Sequence, residues 1–140
     1  MNSVFLDTNV LIYSIDEDSK YFSASQKLIY NKNLKLYTSS KNISEMLAVL
    51  TRHPHKKISI KKAVNVIKGI LTHVDLLFPD EKSCILFFEV LLQYKPSGLK
   101  IHDFEIISIA KANGVDSIAT FNVKDFKNVE GLNFYPFQVD

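Results

Sequence analysis

The sequence predicts an α/β fold in which a mainly parallel sheet of four to five strands is covered by helices on both faces. Short apolar runs that suit buried strands alternate with longer stretches whose apolar residues recur at helical spacing. Strands separated by helices favour parallel pairing in a sheet with helices on its faces. The chain has 140 residues, no internal repeat, and only four glycines and four prolines. We therefore expect one domain over residues 1–140.

The first half of the chain is expected to supply two strands and four helices. In chain order these are a strand at 4–6, a helix from about 8, a helix at about 23–31, a strand at 34–38, a helix to about 52 and a helix from 60. Ser39 or Ser40 can cap the third helix, which His53 and Pro54 end. Ser59 is expected to cap the fourth helix.

The second half is expected to add two or three strands and two helices. These are a strand at 74–78, a helix at 80–94, a helix at about 102–113, a strand at 117–121 and a possible fifth strand at 134–137. Pro79 ends the first of these strands, and the segment 95–98 ends the helix that follows. Gly114 stands where a left-handed cap would close the last helix.

Composition favours a soluble, cytoplasmic protein. Hydrophobic residues make up 46% and charged residues 23% of the chain, which is typical of globular domains. The start of the chain lacks the pattern of a secretory signal, and no apolar run approaches the roughly 20 residues that span a bilayer. The single cysteine, Cys84, lies in the apolar run 84–88 and is expected to be buried.

Carboxylates from distant parts of the chain are expected to meet at one edge of the sheet. Asp7 directly follows the first strand, and Asp125 and Asn122 follow the fourth. Glu45 lies in the helix after the second strand, and Asp103 opens the helix that leads into the fourth. Ligands of open parallel sheets bind outside the carboxyl ends of the strands. The sequence therefore places its chemistry at that edge.

Asp103 lies on the same helical stripe as Ile106, Ile107 and Ala110, so its carboxylate should be desolvated at a cost. A first-turn acid favoured by the helix dipole is the alternative explanation, and Asp7 alone would suit a helix cap. Grouped carboxylates repel unless they share protons or a cation. Because the set contains only oxygen ligands, it favours Mg²⁺ or Mn²⁺, which can assist phosphodiester hydrolysis.

Four segments resemble, in order, the motifs of PIN-domain proteins. They are the strand and Asp-Thr-Asn turn at 4–12, the helical glutamate at 43–47, the aspartate that opens the helix at 102–110, and the segment 119–126. The resemblance implies a PIN-like three-layer α/β/α fold and single-strand-directed ribonuclease activity. A bare domain of this length most resembles VapC-type toxins of toxin–antitoxin pairs, which are held inactive by a co-expressed antitoxin.

The resemblance also assigns roles to individual residues. Asp7, Glu45 and Asp103 would be metal ligands, Thr120 would orient a water on the metal or a neighbouring carboxylate, and Asn9 would brace the site. The family often has an acid where this chain has Asn122. Asp125, three residues later, is expected to compensate as a catalytic carboxylate. The number of metals, one or two, stays open.

Two function classes therefore remain: a metal-dependent endoribonuclease, and a catalytically weakened PIN-fold module that binds RNA or a protein partner. A hydrolase that uses Asp7 as a nucleophile would need an acid at Asn9. A nucleotide-binding site would need a glycine-rich loop, which the sequence lacks.

Residues 46–74 contain no Asp or Glu, which predicts a basic surface. The cations expected to contact RNA are Arg52, Lys56, Lys57, Lys61 and Lys62. The apolar and aromatic residues at 86–91 are expected to lie mostly in the core, and their excess aromatics would also suit a homodimer face.

Overall fold

A computed structural model describes residues 1–138 and contains a five-stranded sheet in the order β3-β2-β1-β4-β5. All four strand pairs are parallel, which confirms the predicted α/β class. The strands are β1 (Ser3–Leu6), β2 (Lys35–Ser39), β3 (Asp75–Leu77), β4 (Ser117–Ala119) and β5 (Asn133–Phe134).

Within residues 1–138, six α-helices connect the strands, close to the predicted positions. They are α1 (Thr8–Tyr13), α2 (Phe22–Ile29), α3 (Ser40–Arg52), α4 (Ile60–Ile70), α5 (Glu81–Tyr94) and α6 (Lys100–Ala112). Ser39 caps α3 through its side chain, and Ser59 caps α4 in the same way. Gly114, just beyond α6, has a φ of 74°, a left-handed conformation that glycine adopts without steric cost.

The sheet separates two hydrophobic cores, so the fold has three layers. Successive strand residues point to opposite faces. Val4 and Leu6 of β1 therefore pack in the core that α1 to α4 cover, whereas Phe5 packs with α5 and α6. No helix within residues 1–138 is long and apolar enough to cross a membrane.

Three expectations need correction. The fourth strand ends at Ala119 rather than at 121, because the backbone amide of Phe121 donates to Oδ1 of the Asn9 side chain at 3.2 Å instead of to a neighbouring strand. The fifth strand covers only Asn133–Phe134, not 134–137. Cys84 is exposed, because α5 turns Ser83 and Val90 toward the interior.

A candidate active site at the carboxyl ends of the strands

A pocket opens at the carboxyl ends of β1, β2 and β4, and it gathers most of the predicted site residues. Seven of them line it: Asp7, Asn9, Glu45, Arg52, Asp103, Asn122 and Asp125. They come from segments spread over more than a hundred positions of the chain. The parallel topology brings them to one edge of the sheet.

Asp7 is the most constrained carboxylate of the pocket. It caps α1, with Oδ1 accepting a hydrogen bond of 2.8 Å from the backbone amide of Thr8. Its Oδ2 accepts from the hydroxyl of Thr120 at 2.9 Å. Burial raises the pKa of Asp7, the two hydrogen bonds oppose that rise, and the charges of Glu45 and Asp125 add to it.

Thr120 and Asn9 form the support beneath Asp7. Thr120 is only 3% exposed, and its Oγ1 accepts from Nδ2 of Asn9 at 3.2 Å and from the backbone amide of Asn122 at 3.0 Å. Nδ2 of Asn9 also donates to Oδ2 of Asp7 at 3.4 Å. These contacts join the turn after β1 to the turn after β4.

Glu45 extends from the exposed side of α3 into the same pocket. Its Oε2 accepts a hydrogen bond of 3.3 Å from the hydroxyl of Thr8, 37 positions earlier. Since Thr8 directly follows Asp7, a single turn supports two of the carboxylates. The role of Thr8 was not apparent from the sequence, because a buried threonine after a strand usually belongs to the core.

Asp103, in the first turn of α6, is half-buried, and Ile106, Ile107 and Ala110 are buried below it, as the stripe predicted. Desolvation is the main cause that raises the pKa of Asp103 to about 6. The charges of Asp7, Asp125 and Glu45 contribute to the same rise in pKa, and the charge of Lys100 opposes it.

Asp125 and Asn122 lie on the exposed turn that follows β4. Asp125 ends a three-residue 3₁₀ helix that Asn122 precedes. Both line the pocket, and the charge of Asp125 reaches Asp7 and Asp103 strongly enough to raise the pKa of each. The position expected to carry an acid thus holds an amide, with a carboxylate close by.

The donor set fits a hydrated hard cation better than a closed metal cage. Within residues 1–138, no three His, Cys, Asp or Glu side chains are close enough together to hold one ion by themselves. Mg²⁺, however, is usually held by one or two carboxylates while waters complete its coordination. The carboxylates of this pocket repel one another, and a cation among them would relieve that repulsion. Their oxygen chemistry and this unrelieved charge are what a Mg²⁺ or Mn²⁺ site requires.

The basic side chains that were expected to contact RNA lie in different environments. Arg52 lines the pocket, whereas Nζ of Lys56 pairs with Asp16 at 2.7 Å and Asp18 at 2.8 Å. The remaining members are exposed but do not line the pocket: Lys57, Lys61 and Lys62.

Three further basic residues line the pocket, and the sequence argument did not identify them as a group: Lys41, Lys100 and His102. Lys41 also pairs with Glu105 at 3.5 Å. Both lysines lie in the first turn of a helix that carries a pocket carboxylate. A lysine in the first turn of a helix that carries a candidate carboxylate is therefore the sequence feature that would have identified Lys41 and Lys100.

Comparison with known proteins identifies a family and a set of similar folds. The sequence matches the PIN domain profile over residues 4–132. Among solved structures, the fold is similar to VapBC2 from Rickettsia felis bound to a DNA fragment from its promoter, with a TM-score of 0.72, 20% identity, and coverage of 97% of this chain and 99% of that chain.

Two other solved structures are similar to this chain over nearly its whole length. VapBC-1 from nontypeable Haemophilus influenzae has a TM-score of 0.70 and 21% identity, covering 95% of this chain and 96% of its own. The sarcin-ricin loop cleaving toxin VapC20 of Mycobacterium tuberculosis has a TM-score of 0.70 and 15% identity, covering 90% of this chain and 95% of its own. No curated protein sequence matches the chain. At these identities the structural likeness establishes the fold.

Proposed function

The chain belongs to the PIN domain family, and from this premise we propose that it is a Mg²⁺- or Mn²⁺-dependent endoribonuclease that cleaves single-stranded or loop RNA. We further propose that it is the toxin component of a type II toxin–antitoxin pair. The observation that carries the proposal is the convergence of Asp7, Glu45, Asp103 and Asp125 on one pocket. Burial and mutual repulsion raise the pKa of two of them, Asp7 and Asp103.

Asp7, Glu45 and Asp103 would hold the cation together with water molecules, because the three carboxylates do not close around one ion by themselves. When bound, such a cation supplies Lewis-acid stabilisation of the negative charge on a phosphate and lowers the pKa of a water molecule. The hydrogen bond from Thr120 orients Asp7 and lowers its pKa, because hydrogen bonds to a carboxylate favour its charged form. Asp125 has an exposed carboxylate at the pocket. It would take the proton of the water whose oxygen bonds to phosphorus, while the bond from phosphorus to a ribose oxygen breaks and that leaving oxygen gains a proton from solvent.

The pocket rim is suited to a phosphate backbone. Lys41, Arg52 and Lys100 place positive charge beside the carboxylates, and phosphate contacts of this kind give affinity without sequence preference. The exposed Lys57, Lys61 and Lys62 would extend the contact along the loop before α4 and its first turn. Lys56 would contribute least, since two aspartates already neutralise it.

Two protein partners belong to the proposal. Several similar structures are VapBC assemblies, and we propose a cognate antitoxin for this chain by that likeness. We also propose a homodimer in the cytoplasm. Its support is an exposed apolar stripe on α5, in which Ile85, Phe88 and Leu92 are 55%, 60% and 77% exposed, and such stripes mark interfaces.

A second candidate function rests on Asn122. An amide cannot act as a base and is a poorer cation ligand than a carboxylate. If Asp125 does not replace the missing acid, the chain would be a weakened PIN-fold module that binds RNA or a protein partner without cutting RNA.

Cleavage of a mixed pool of single-stranded and structured RNA separates the two functions. Wild type, Asp7→Asn and Asp116→Asn are compared in Mg²⁺, Mn²⁺ and EDTA. Asp116 is an exposed aspartate at the opposite end of β4, so its variant is a matched control. We expect cutting by wild type and the control that EDTA abolishes, and none by Asp7→Asn. Equal inertness of all three proteins in every metal, with RNA binding retained, would favour the binding module.

A further inference from the structure

A series of hydrogen bonds leads from the start of α3 to the carboxylate of Glu45. The hydroxyl of Ser39 donates to Oδ1 of Asn42. Nδ2 of Asn42 donates to Oγ1 of Thr8 at 3.0 Å. The hydroxyl of Thr8 then donates to Oε2 of Glu45 at 3.3 Å. The series therefore ends on one of the proposed cation ligands.

The direction of this series is fixed from its first member. Oγ of Ser39 accepts from the backbone amide of Asn42 at 3.3 Å, so its single proton is free to reach Oδ1 of Asn42. An amide that accepts on one side presents its NH₂ group on the other, here toward Thr8. Because Oγ1 of Thr8 must accept that bond, its own proton is directed at Glu45.

Burial isolates the series from solvent. Ser39, Asn42 and Thr8 are 0%, 1% and 2% exposed, so water cannot take the place of a missing partner. Glu45 is exposed, and without this contact its long side chain would sample several rotamers. Oε2 of Glu45 is thus tied to a rigid, buried network, and the side chain lines the pocket.

We propose that Thr8 and Asn42 are positioning residues that orient Glu45 for cation binding; this inference rests on the proposed function. Groups that orient a metal ligand typically change metal affinity or activity by about 10- to 100-fold when they are removed. Asn42 fixes the direction in which the hydroxyl of Thr8 points, and Thr8 holds the carboxylate of Glu45.

The test compares Mn²⁺ affinity, measured by calorimetric titration without RNA, with kcat and KM for RNA cleavage. Thr8→Val removes the hydroxyl with little change of shape, and Thr8→Ser retains it. Thr38→Val is the matched control, because Thr38 is equally buried and its hydroxyl donates at 2.9 Å to the carbonyl of Leu6 rather than to a carboxylate. We expect Thr8→Val to lose about tenfold in Mn²⁺ affinity and in kcat. Thr8→Ser and Thr38→Val should stay near wild type.

Asn42→Leu provides a second route should Thr8→Val fold poorly, since it leaves both Thr8 and Glu45 in place. Its loss of Mn²⁺ affinity should not add to that of Thr8→Val in the double variant, because both act through one contact. Fully multiplicative losses, or a Thr8→Val protein that binds Mn²⁺ as well as Thr38→Val, would overturn the inference while the nuclease proposal stands. A wild-type protein that neither binds Mn²⁺ nor cuts RNA would overturn both.

Discussion

The hydroxyl of Thr120 donates a hydrogen bond of 2.9 Å to Oδ2 of Asp7, across 113 positions of the sequence. The two residues directly follow the adjacent parallel strands β4 and β1. The bond opposes the effect of burial on the pKa of Asp7, because it favours the charged form of the carboxylate whereas burial disfavours it. Thr120 thereby lowers the pKa of a residue that lines the pocket.

Loss of this bond should shift the pH dependence of cleavage. In Thr120→Val, the pKa of Asp7 should rise further, because the variant loses a hydrogen bond that favours the charged carboxylate. The acid limb of kcat/KM should then move to higher pH. Thr120→Ser should restore the wild-type profile. A uniform loss of rate with an unshifted limb would show that Thr120 acts on something other than the charge of Asp7.

Asp103→Asn should abolish cleavage yet leave the metal-free fold as stable as wild type, or more stable. A carboxyl whose folded pKa is about 6 binds more protons in the folded than in the unfolded state between about pH 4 and 6. The ionised carboxyl of Asp103 therefore lowers the free energy of unfolding. The full loss is present above pH 6, and it disappears as the pH falls toward 4.

Urea unfolding in EDTA at pH 7 and pH 5 measures this effect. With allowance for solvent screening of a half-buried group, the variant should gain about 1 kcal/mol at pH 7 and less at pH 5. Marked destabilisation at both values would instead assign Asp103 a structural role.

Mn²⁺ should stabilise the folded protein by mass action on the native state. At millimolar Mn²⁺ we expect a rise in Tm for wild type and for Asp116→Asn, and a much smaller rise for Glu45→Gln, which lacks one proposed ligand. Differential scanning fluorimetry over a Mn²⁺ series up to about 10 mM provides the measurement. An identical rise in all three proteins would mean that the cation binds elsewhere.

Cations at the pocket should matter more for RNA affinity than those on α4. In an Asp7→Asn background, which allows binding to be measured without cleavage, Arg52→Ala should weaken binding of single-stranded RNA. It should also reduce the slope of log K against log salt by about 0.7, the value for one phosphate contact. Lys61→Ala should have a smaller effect and Lys56→Ala the smallest. Fluorescence anisotropy at several salt concentrations measures these affinities. The reverse order of effects would show that the RNA strand follows α4.

Phe88→Glu should convert the proposed homodimer to a monomer, since it places a charge in the centre of the exposed stripe on α5. Gln93→Glu adds the same charge to an exposed position of the same helix, away from the stripe, and should remain dimeric. Sedimentation velocity distinguishes the two states. A wild-type protein that is monomeric at high concentration would refute the dimer directly.

The order of elements and the meeting point of the carboxylates were predictable because both follow from short-range patterns. Apolar runs, Ser39 and Ser59 as caps, and the rule that parallel strands point their carboxyl ends to one edge were sufficient. The desolvation of Asp103 was also predictable from the apolar residues one and two turns below it.

What the sequence could not provide depends on contacts between distant segments. The bond from Thr8 to Glu45 needs the relative position of two helices, and the pairing of Lys56 with Asp16 needs the path of two loops. Cys84 was predicted wrongly because an apolar run of five residues, 84–88, must turn some of its members outward once it forms a helix.

The two sides of the pocket belong to different layers of the fold. Glu45 stands on α3, which packs on one face of the sheet, and Asp103 stands on α6, which packs on the other. The distance between these carboxylates is therefore a measure of how the layers sit on the sheet. Any change in the tilt of α3 on the sheet would therefore move Glu45 relative to Asp103, even with every residue of the pocket unchanged.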